Sequence, residues 1–323
     1  MRLLICTQAL DRSDPILGFF YAWTEQFAKD FESITVLCLR AGDHNLPKNV
    51  SVYTLGFGRL TRILNTLRYI VVFRNQYDTV FVHMNQEYVL LGGWLWKLLG
   101  KRVYLWRNHY AGSILTDFAA LFCTKIFCTS KLSYTAKYKK TVLMPVGVDT
   151  DVFVPSGERK PGSILSLGRI APSKRLEILI EALRELQCEA DLYGPAEPEY
   201  LKGLKDLARG LPVKFPGPIA HDEAAKIFAS HDVFVNMSPG GMFDKTIIEA
   251  AASGCLILVA SPDAAALFGE EAVDSPAAVE TRLRKMLALA PEIKERRRRE
   301  LRSAARAHSL SRLSQRLREI ITS

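Results

Sequence analysis

Apolar strand-like runs and amphipathic helical stretches take turns along nearly the whole chain, and this alternation limits the fold more than any other feature. The runs RLLICT, SITVLCL, DTVFVHM, RVYLW and KIFCTS are short and rich in aliphatic and aromatic residues. Helical patterns lie between them, near 19–30, 60–74 and 89–99. This spacing predicts a parallel sheet wrapped by helices. After about Pro155 the alternation restarts with SILSLG, EADLYG, VKFPG, DVFVNMS and CLILVA. Its helices are expected from Lys174, near 198–208, near 223–230 and from Lys245. The expected class is α/β, with two doubly wound, Rossmann-like domains in tandem at 1–155 and 156–305. The 323 residues suit two domains of about 150 each. The polar stretch SGERKPGS, 156 to 163, reads as the linker.

Charge and cysteine usage narrow the function. The net charge is +9, and up to Pro155 there are 18 Lys/Arg against 11 Asp/Glu. A basic first half suits an anionic partner, nucleic acid or anionic lipid, or simply a soluble basic surface. No zinc-finger spacing and no aromatic RNA-platform signature occurs, so no nucleic-acid partner is expected. The run KERRRRELR near Arg297 reads as a solvated helix face. The six cysteines are scattered, and Cys123 and Cys128 lack a second pair to complete a metal pattern. They fit reduced, buried thiols in a cytoplasmic protein. The opening MRLLICTQAL runs straight into a strand, without the pattern of a signal peptide. YVLLGGWLWKLLG carries Lys97 and falls short of the ~20 residues a span requires.

In open parallel sheets, ligands bind beyond the carboxyl ends of the strands. At one such end, SLGRIAPSK places Gly168, Arg169 and Lys174 close together, with Ser173 set to cap a helix. A guanidinium fork, an ammonium and helix N–H groups suit a diphosphate, although two solvated cations beside a helix start fit as well. A second end, MSPGGMFDKTIIEAAASG, puts Asp244 at a helix N-cap and Lys245 first inside. A cation there opposes the helix dipole, which calls for a reason. Lys245 and Glu249, four apart, share a helical face. They form either a surface salt bridge, or an anion contact beside a carboxylate for the two hydroxyls of a ribose. Gly240 and Gly241 could form an anion nest beside them. Gly194 and Gly217 end two further strands, as turns or as close approaches to a flat base. In the first half, Gly18 precedes a helix where backbone N–H groups can meet a phosphate. His109 ends another strand, and His83 has a similar claim.

Taken together, these stretches resemble the retaining glycosyltransferases of family four. MPVGVDTDVFVP, residues 144 to 155, is similar to the family connector P-N-G-V-D-x-x-x-F-x-P. LGRIAPSK is similar to the loop G-R-x-x-x-x-K, and the block from Asp232 to Ser261 to the nucleotide-sugar segment. The resemblance implies a GT-B fold, two Rossmann-like domains facing a cleft, with the C-terminal helix 306–323 packing back on the first. It assigns Arg169 and Lys174 to the donor diphosphate and Glu249, second Glu of E-x7-E, to the ribose. It places Gly18 near the phosphate and His109 beside the reacting sugar. The chain departs from the pattern at Gly241, which stands where the first Glu of the motif would be. The G-x-F-D-K form resembles a variant bacterial branch that keeps the other donor-site features, and Lys245 is expected to face a nucleotide diphosphate or an acidic or differently substituted sugar.

The implied activity is transfer of a hexose from a UDP- or GDP-sugar to a glycan or lipid-linked acceptor in cell-surface polysaccharide synthesis, with retained configuration. No cofactor is implied beyond the donor. Arg169, Lys174 and helix N–H groups would stabilise the departing diphosphate without a metal. FGRLTRILNTLRYIVVFRNQ sets four arginines among apolar residues, either as a helix lying on an anionic membrane at its cytoplasmic face or as an ordinary packed helix. Gly241 also fits a non-catalytic GT-B module that binds nucleotide or glycan. A nicotinamide enzyme is disfavoured, because neither first strand is followed by G-x-G-x-x-G.

Overall fold

Every strand pairs in parallel, as helical crossovers require. The computed structural model describes all residues except Pro15, Asp43 and Met242, and only the backbone of His221 and Asp222. By contacts the chain divides into two units, Met1–Pro145 with Ser311–Ser323, and Val146–Leu310. Residues 146 to 155, assigned to the first domain from the sequence, thus group with the second unit.

The first unit runs β1 (Arg2–Leu10), α1 (Phe19–Asp30), β2 (Ser33–Ala41), β3 (Val50–Thr54), α2 (Arg59–Val72), β4 (Thr79–His83), α3 (Gln86–Leu98), β5 (Arg102–Trp106), α4 (Ile114–Phe122), β6 (Lys125–Cys128) and β7 (Thr141–Leu143). Its seven strands lie in the order β3-β2-β1-β4-β5-β6-β7. Alternation of side chains along each strand sends two sets of residues to opposite faces. Leu4, Cys6, Val80, Val82, Val103 and Leu105 form one core with Ile70 of α2, Trp96 of α3 and Ala119 of α4. These three helices therefore share one face of the sheet. An aromatic cluster that includes Phe20 and Trp23 of α1 with Phe81 and Trp106 sits on alternate strand positions.

The second unit runs β8 (Lys160–Leu167), α5 (Leu176–Leu183), β9 (Ala190–Tyr193), α6 (Pro198–Leu207), β10 (Val213–Gly217), α7 (His221–Ser230), β11 (His231–Asn236), α8 (Lys245–Ala252), β12 (Leu256–Val259), α9 (Pro262–Leu267), α10 (Pro276–Leu287) and α11 (Pro291–Arg306). Its order is β10-β9-β8-β11-β12. The last helix, α12 (Leu310–Thr322), falls almost wholly in the first unit, where Ser314 donates to Asp30 of α1.

Three local expectations are corrected. The linker stretch is no free connector: Lys160 opens β8, and the Arg159 guanidinium donates to the carbonyls of His231 and Ser253. The charge run on α11 is not merely solvated. Lys294 and Arg298 pair with the buried Asp232, and Arg297 lies 2.5 Å from Glu270. The helix expected from Lys174 begins at Leu176, because Arg175 takes a left-handed conformation at φ 46°. Ser173 is thus not its cap, and the Tyr200 hydroxyl accepts from Leu176 N instead. All six cysteines are free, five of them buried.

Candidate functional site

The strand order reverses direction at β8: β9 follows on one side, and the crossover after β10 returns to place β11 on the other. A crevice opens at such a switch point beyond the carboxyl ends of the strands. Here it is a small cavity lined by Gly168, Arg169, Lys174, Tyr193, Asn236 and Ser238, among others. The neighbouring strand ends are tied together by backbone bonds, Gly168 N to Tyr193 O and Gly194 N to Gly217 O. A Cβ at Gly194 would fall 1.8 Å from the Gly168 carbonyl oxygen. Gly194, at φ 144°, is thus explained by that close approach rather than by a ligand.

Arg169 and Lys174 both reach this cavity. Arg169 is exposed, and its guanidinium has no hydrogen-bond or ion-pair partner among the described residues. Lys174 is held: its ammonium lies 2.6 Å from Asp244 Oδ2 and 3.1 Å from Ser238 Oγ. Asp244 occupies the N-cap position of α8 but makes no side-chain cap bond. Its carboxylate turns instead to Lys174, to Ser238 Oγ at 2.6 Å and to Asn236 Nδ2 at 2.9 Å. Burial alone would raise this carboxyl, but Lys174 and the two donors outweigh it and hold it below the ordinary range. The sequence reading missed Asp244 and Ser238 as partners of the lysine. Their signal was an acid at an N-cap with no acidic companions in the first turn.

Lys245 explains its own awkward position. Its ammonium is buried and donates to the backbone carbonyls of Val146 and Gly147, so it satisfies acceptors at the start of this unit. This differs from the expectation that it faces a donor anion. Burial pulls its pKa down, opposed by Glu249. Glu249 is only 5% exposed, and its carboxylate accepts no hydrogen bond among the described residues. Burial pushes that carboxyl up, opposed by Lys245. Nearby, Phe243 stacks on His308 at 5.9 Å, and His308 Nδ1 accepts from Val146 N at 3.2 Å. Gly241 is buried at φ 85°, a conformation that a glutamate adopts only under strain.

Two expected residues lie in the first unit. Gly18 precedes α1 at an ordinary φ of −54°, and its N–H already donates to Asp14 O at 2.9 Å. That N–H is thus engaged rather than open to a phosphate. His109 follows β5, stacks on Tyr110 at 4.6 Å, and takes the Ala111 N–H on Nδ1 at 2.9 Å. With Nδ1 accepting, the neutral ring carries its proton on Nε2. His83, by contrast, is buried and stacked on Phe20 at 4.3 Å, a core position. A cavity of about 390 Å³ opens at the ends of β1, β2 and β3, beside Asp11, Asp14, Arg40 and Phe57. Its carboxylates are internally engaged: Asp11 with Ser13, and Asp14 with Ile16 N, Leu17 N and Arg40. No cluster of three or more His, Cys, Asp or Glu placed to hold a metal ion occurs among the described residues.

Residues 161–288 match the family model described as glycosyl transferases group 1. The sulfoquinovosyl transferase SQD2 of Arabidopsis thaliana is 30% identical over 126 residues, 35% of this chain and 24% of that protein. A UDP-N-acetylglucosamine–peptide N-acetylglucosaminyltransferase GtfA subunit of Streptococcus pneumoniae is 28% identical over 163 residues, 46% of this chain and 32% of that one. The chain thus spans about a quarter to a third of the length of these curated relatives. Among solved structures, Anabaena HepE in complex with UDP and glucose superposes with a TM-score of 0.80 at 18% identity, covering 100% of this chain and 99% of that one. Sucrose-phosphate synthase from Thermosynechococcus elongatus gives 0.82 at 15% identity, covering 100% and 98%. The stretch that matches the group 1 model thus lies in the second unit, in a chain whose α/β fold matches these solved structures.

Proposed function

We propose that the protein is a retaining, metal-independent glycosyltransferase that moves a hexose from a UDP- or GDP-sugar to a glycan or lipid-linked acceptor in cell-surface polysaccharide synthesis. The observation that carries this reading is the switch-point cavity, lined both by Arg169, whose guanidinium has no partner among the described residues, and by a lysine prepositioned by Asp244. A diphosphate there would accept a planar two-pronged donor from Arg169 and a fixed positive charge from Lys174. Stabilising the departing diphosphate lowers the barrier without a side-chain base, because the phosphate itself can take the acceptor's proton. Glu249, buried and without a hydrogen-bond donor among the described residues, suits the two hydroxyls of a ribose. In this reading Lys245 is a positioning residue: it ties the first turn of α8 to the Val146 and Gly147 carbonyls, and its charge opposes the burial that raises the Glu249 carboxyl. As the family resemblance implies, His109 would offer Nε2–H to the transferred sugar.

The test is turnover. The protein is incubated with UDP- and GDP-sugars and candidate acceptors, and product configuration is read from anomeric proton couplings. A product with the donor's configuration supports the proposal. An inverted product overturns retention. Nucleotide binding without transfer or donor hydrolysis favours the non-catalytic module, for which Gly241 is the motivating observation.

A further inference from the structure

The helices α2, α3 and α4 cover one face of the first sheet through a shared core, and their outward sides are strongly apolar. On α4, Ile114, Leu115, Phe118 and Leu121 are all exposed, at spacings that make one stripe. The opposite side of the same helix buries Thr116, Ala119 and Ala120, so α4 has apolar groups where a surface helix would carry charges. Its one acid, Asp117, is engaged by Lys137 at 2.8 Å and by the Tyr134 hydroxyl. The neighbouring α3 exposes Trp94 and Leu98, the latter at 76%. Phe122 of α4 packs against α3, beneath the Lys97 ammonium. On α2, Leu60, Leu64, Val71 and Val72 are exposed beside Arg59, Arg68 and Arg74. A single exposed leucine needs no explanation, but an apolar surface across three adjacent helices does.

Charge identifies the occupant. Residues 57 to 145 hold thirteen Lys/Arg against three Asp/Glu, so this stretch alone outweighs the +9 of the entire chain. A protein partner would match the apolar stripe but must also supply many acids. An anionic bilayer supplies both at once, hydrocarbon beneath a sheet of negative headgroups. No helix is long and apolar enough to cross a membrane among the described residues, which leaves contact in the interface plane. We propose that the outer face of the α2–α3–α4 layer docks on an anionic lipid surface, with α4 as the inserted element and the α2 arginines at the headgroups. The α2 segment named from sequence is then one edge of the surface, and α4 its apolar centre. This deepens the acceptor side of the proposed function and rests on it only for the expectation of a lipid-borne acceptor.

The test is cosedimentation of the full chain with phosphatidylcholine vesicles, with and without an equal part of phosphatidylglycerol, in the absence of nucleotide and acceptor. The wild type is expected on the anionic vesicles only, and added salt should release it. Phe118→Glu and Arg68→Glu should each lower the bound fraction by about tenfold. Both sites are exposed, so unchanged melting temperatures would show that the variants fold. Absence of binding to anionic vesicles, or equal binding by all three proteins, overturns the proposal. So does a wild-type dimer that Phe118→Glu splits, since the apolar face would then belong to a second copy. Vesicle binding is read without turnover, so its failure would leave the transferase reading standing, and loss of transfer would leave this one.

Discussion

The Lys174 ammonium and the Asp244 carboxylate form a largely buried pair 2.6 Å apart, one from the loop after β8 and one from the start of α8. Removing either charge leaves the other in a place that water reaches poorly. Lys174→Ala is expected to lower stability by about 2–4 kcal/mol, at the lower edge of what breaking a buried pair costs. The check is a denaturant titration, and a shift below about half a kcal/mol would mean that the pair is solvated.

The same pair sets an acid limit. Asp244 is held below its unfolded value, so the stability it contributes is present above about pH 4 and is lost as pH falls through the lower folded value. Unfolding free energy measured from pH 6 to pH 3 should fall less steeply in Asp244→Asn than in the wild type. Equal slopes would remove Asp244 from the account.

Lys245→Met keeps most of the side chain's volume and deletes the donor to Val146 O and Gly147 O. Two carbonyls would lose their partner, at a cost of about 1–3 kcal/mol. Nucleotide affinity should change by less than about fivefold, under a kcal/mol. A loss of affinity with unchanged stability would restore a direct anion contact for this lysine.

Much of this was legible from the chain. The strand runs and their restart after Pro155 identify the α/β class, because parallel strands buried on both faces read as continuous apolar segments. Arg169 and Lys174 were legible because a Gly-Arg turn at a strand end and a basic helix approach are local features. What was not legible depended on contacts distant in sequence. The partner of Lys245 lies near residue 146, and only the folded chain brings those carbonyls to α8. The start of α5 moved to Leu176 because Arg175 turns left-handed and bonds Met237 O, a contact sixty-two positions away. The helix α4 escaped notice because it is apolar on nearly all sides, so it shows no helical alternation of polar and apolar positions.

Gly241→Glu tests whether the missing motif residue can simply be put back. At φ 85° a non-glycine residue carries about 1–2 kcal/mol of strain. The variant should melt lower than the wild type. A variant that is both as stable and more active would show that this loop rearranges readily.

Glu249→Gln keeps the shape and removes a buried charge. Nucleotide affinity is expected to drop by about tenfold, the loss of a charge-assisted bond to a hydroxyl. A deoxyribose diphosphate should bind wild type and variant more nearly alike. Equal discrimination by both would move Glu249 out of the ribose role.

The most direct test of the central claim is calorimetric titration of UDP and GDP into the wild type and Arg169→Ala. The expected result is that one nucleotide binds the wild type and that Arg169→Ala weakens it by about tenfold or more, the worth of a bidentate charge-assisted contact. Failure of both nucleotides to bind, or an affinity that Arg169→Ala leaves unchanged, would contradict a diphosphate site at the β8 switch point.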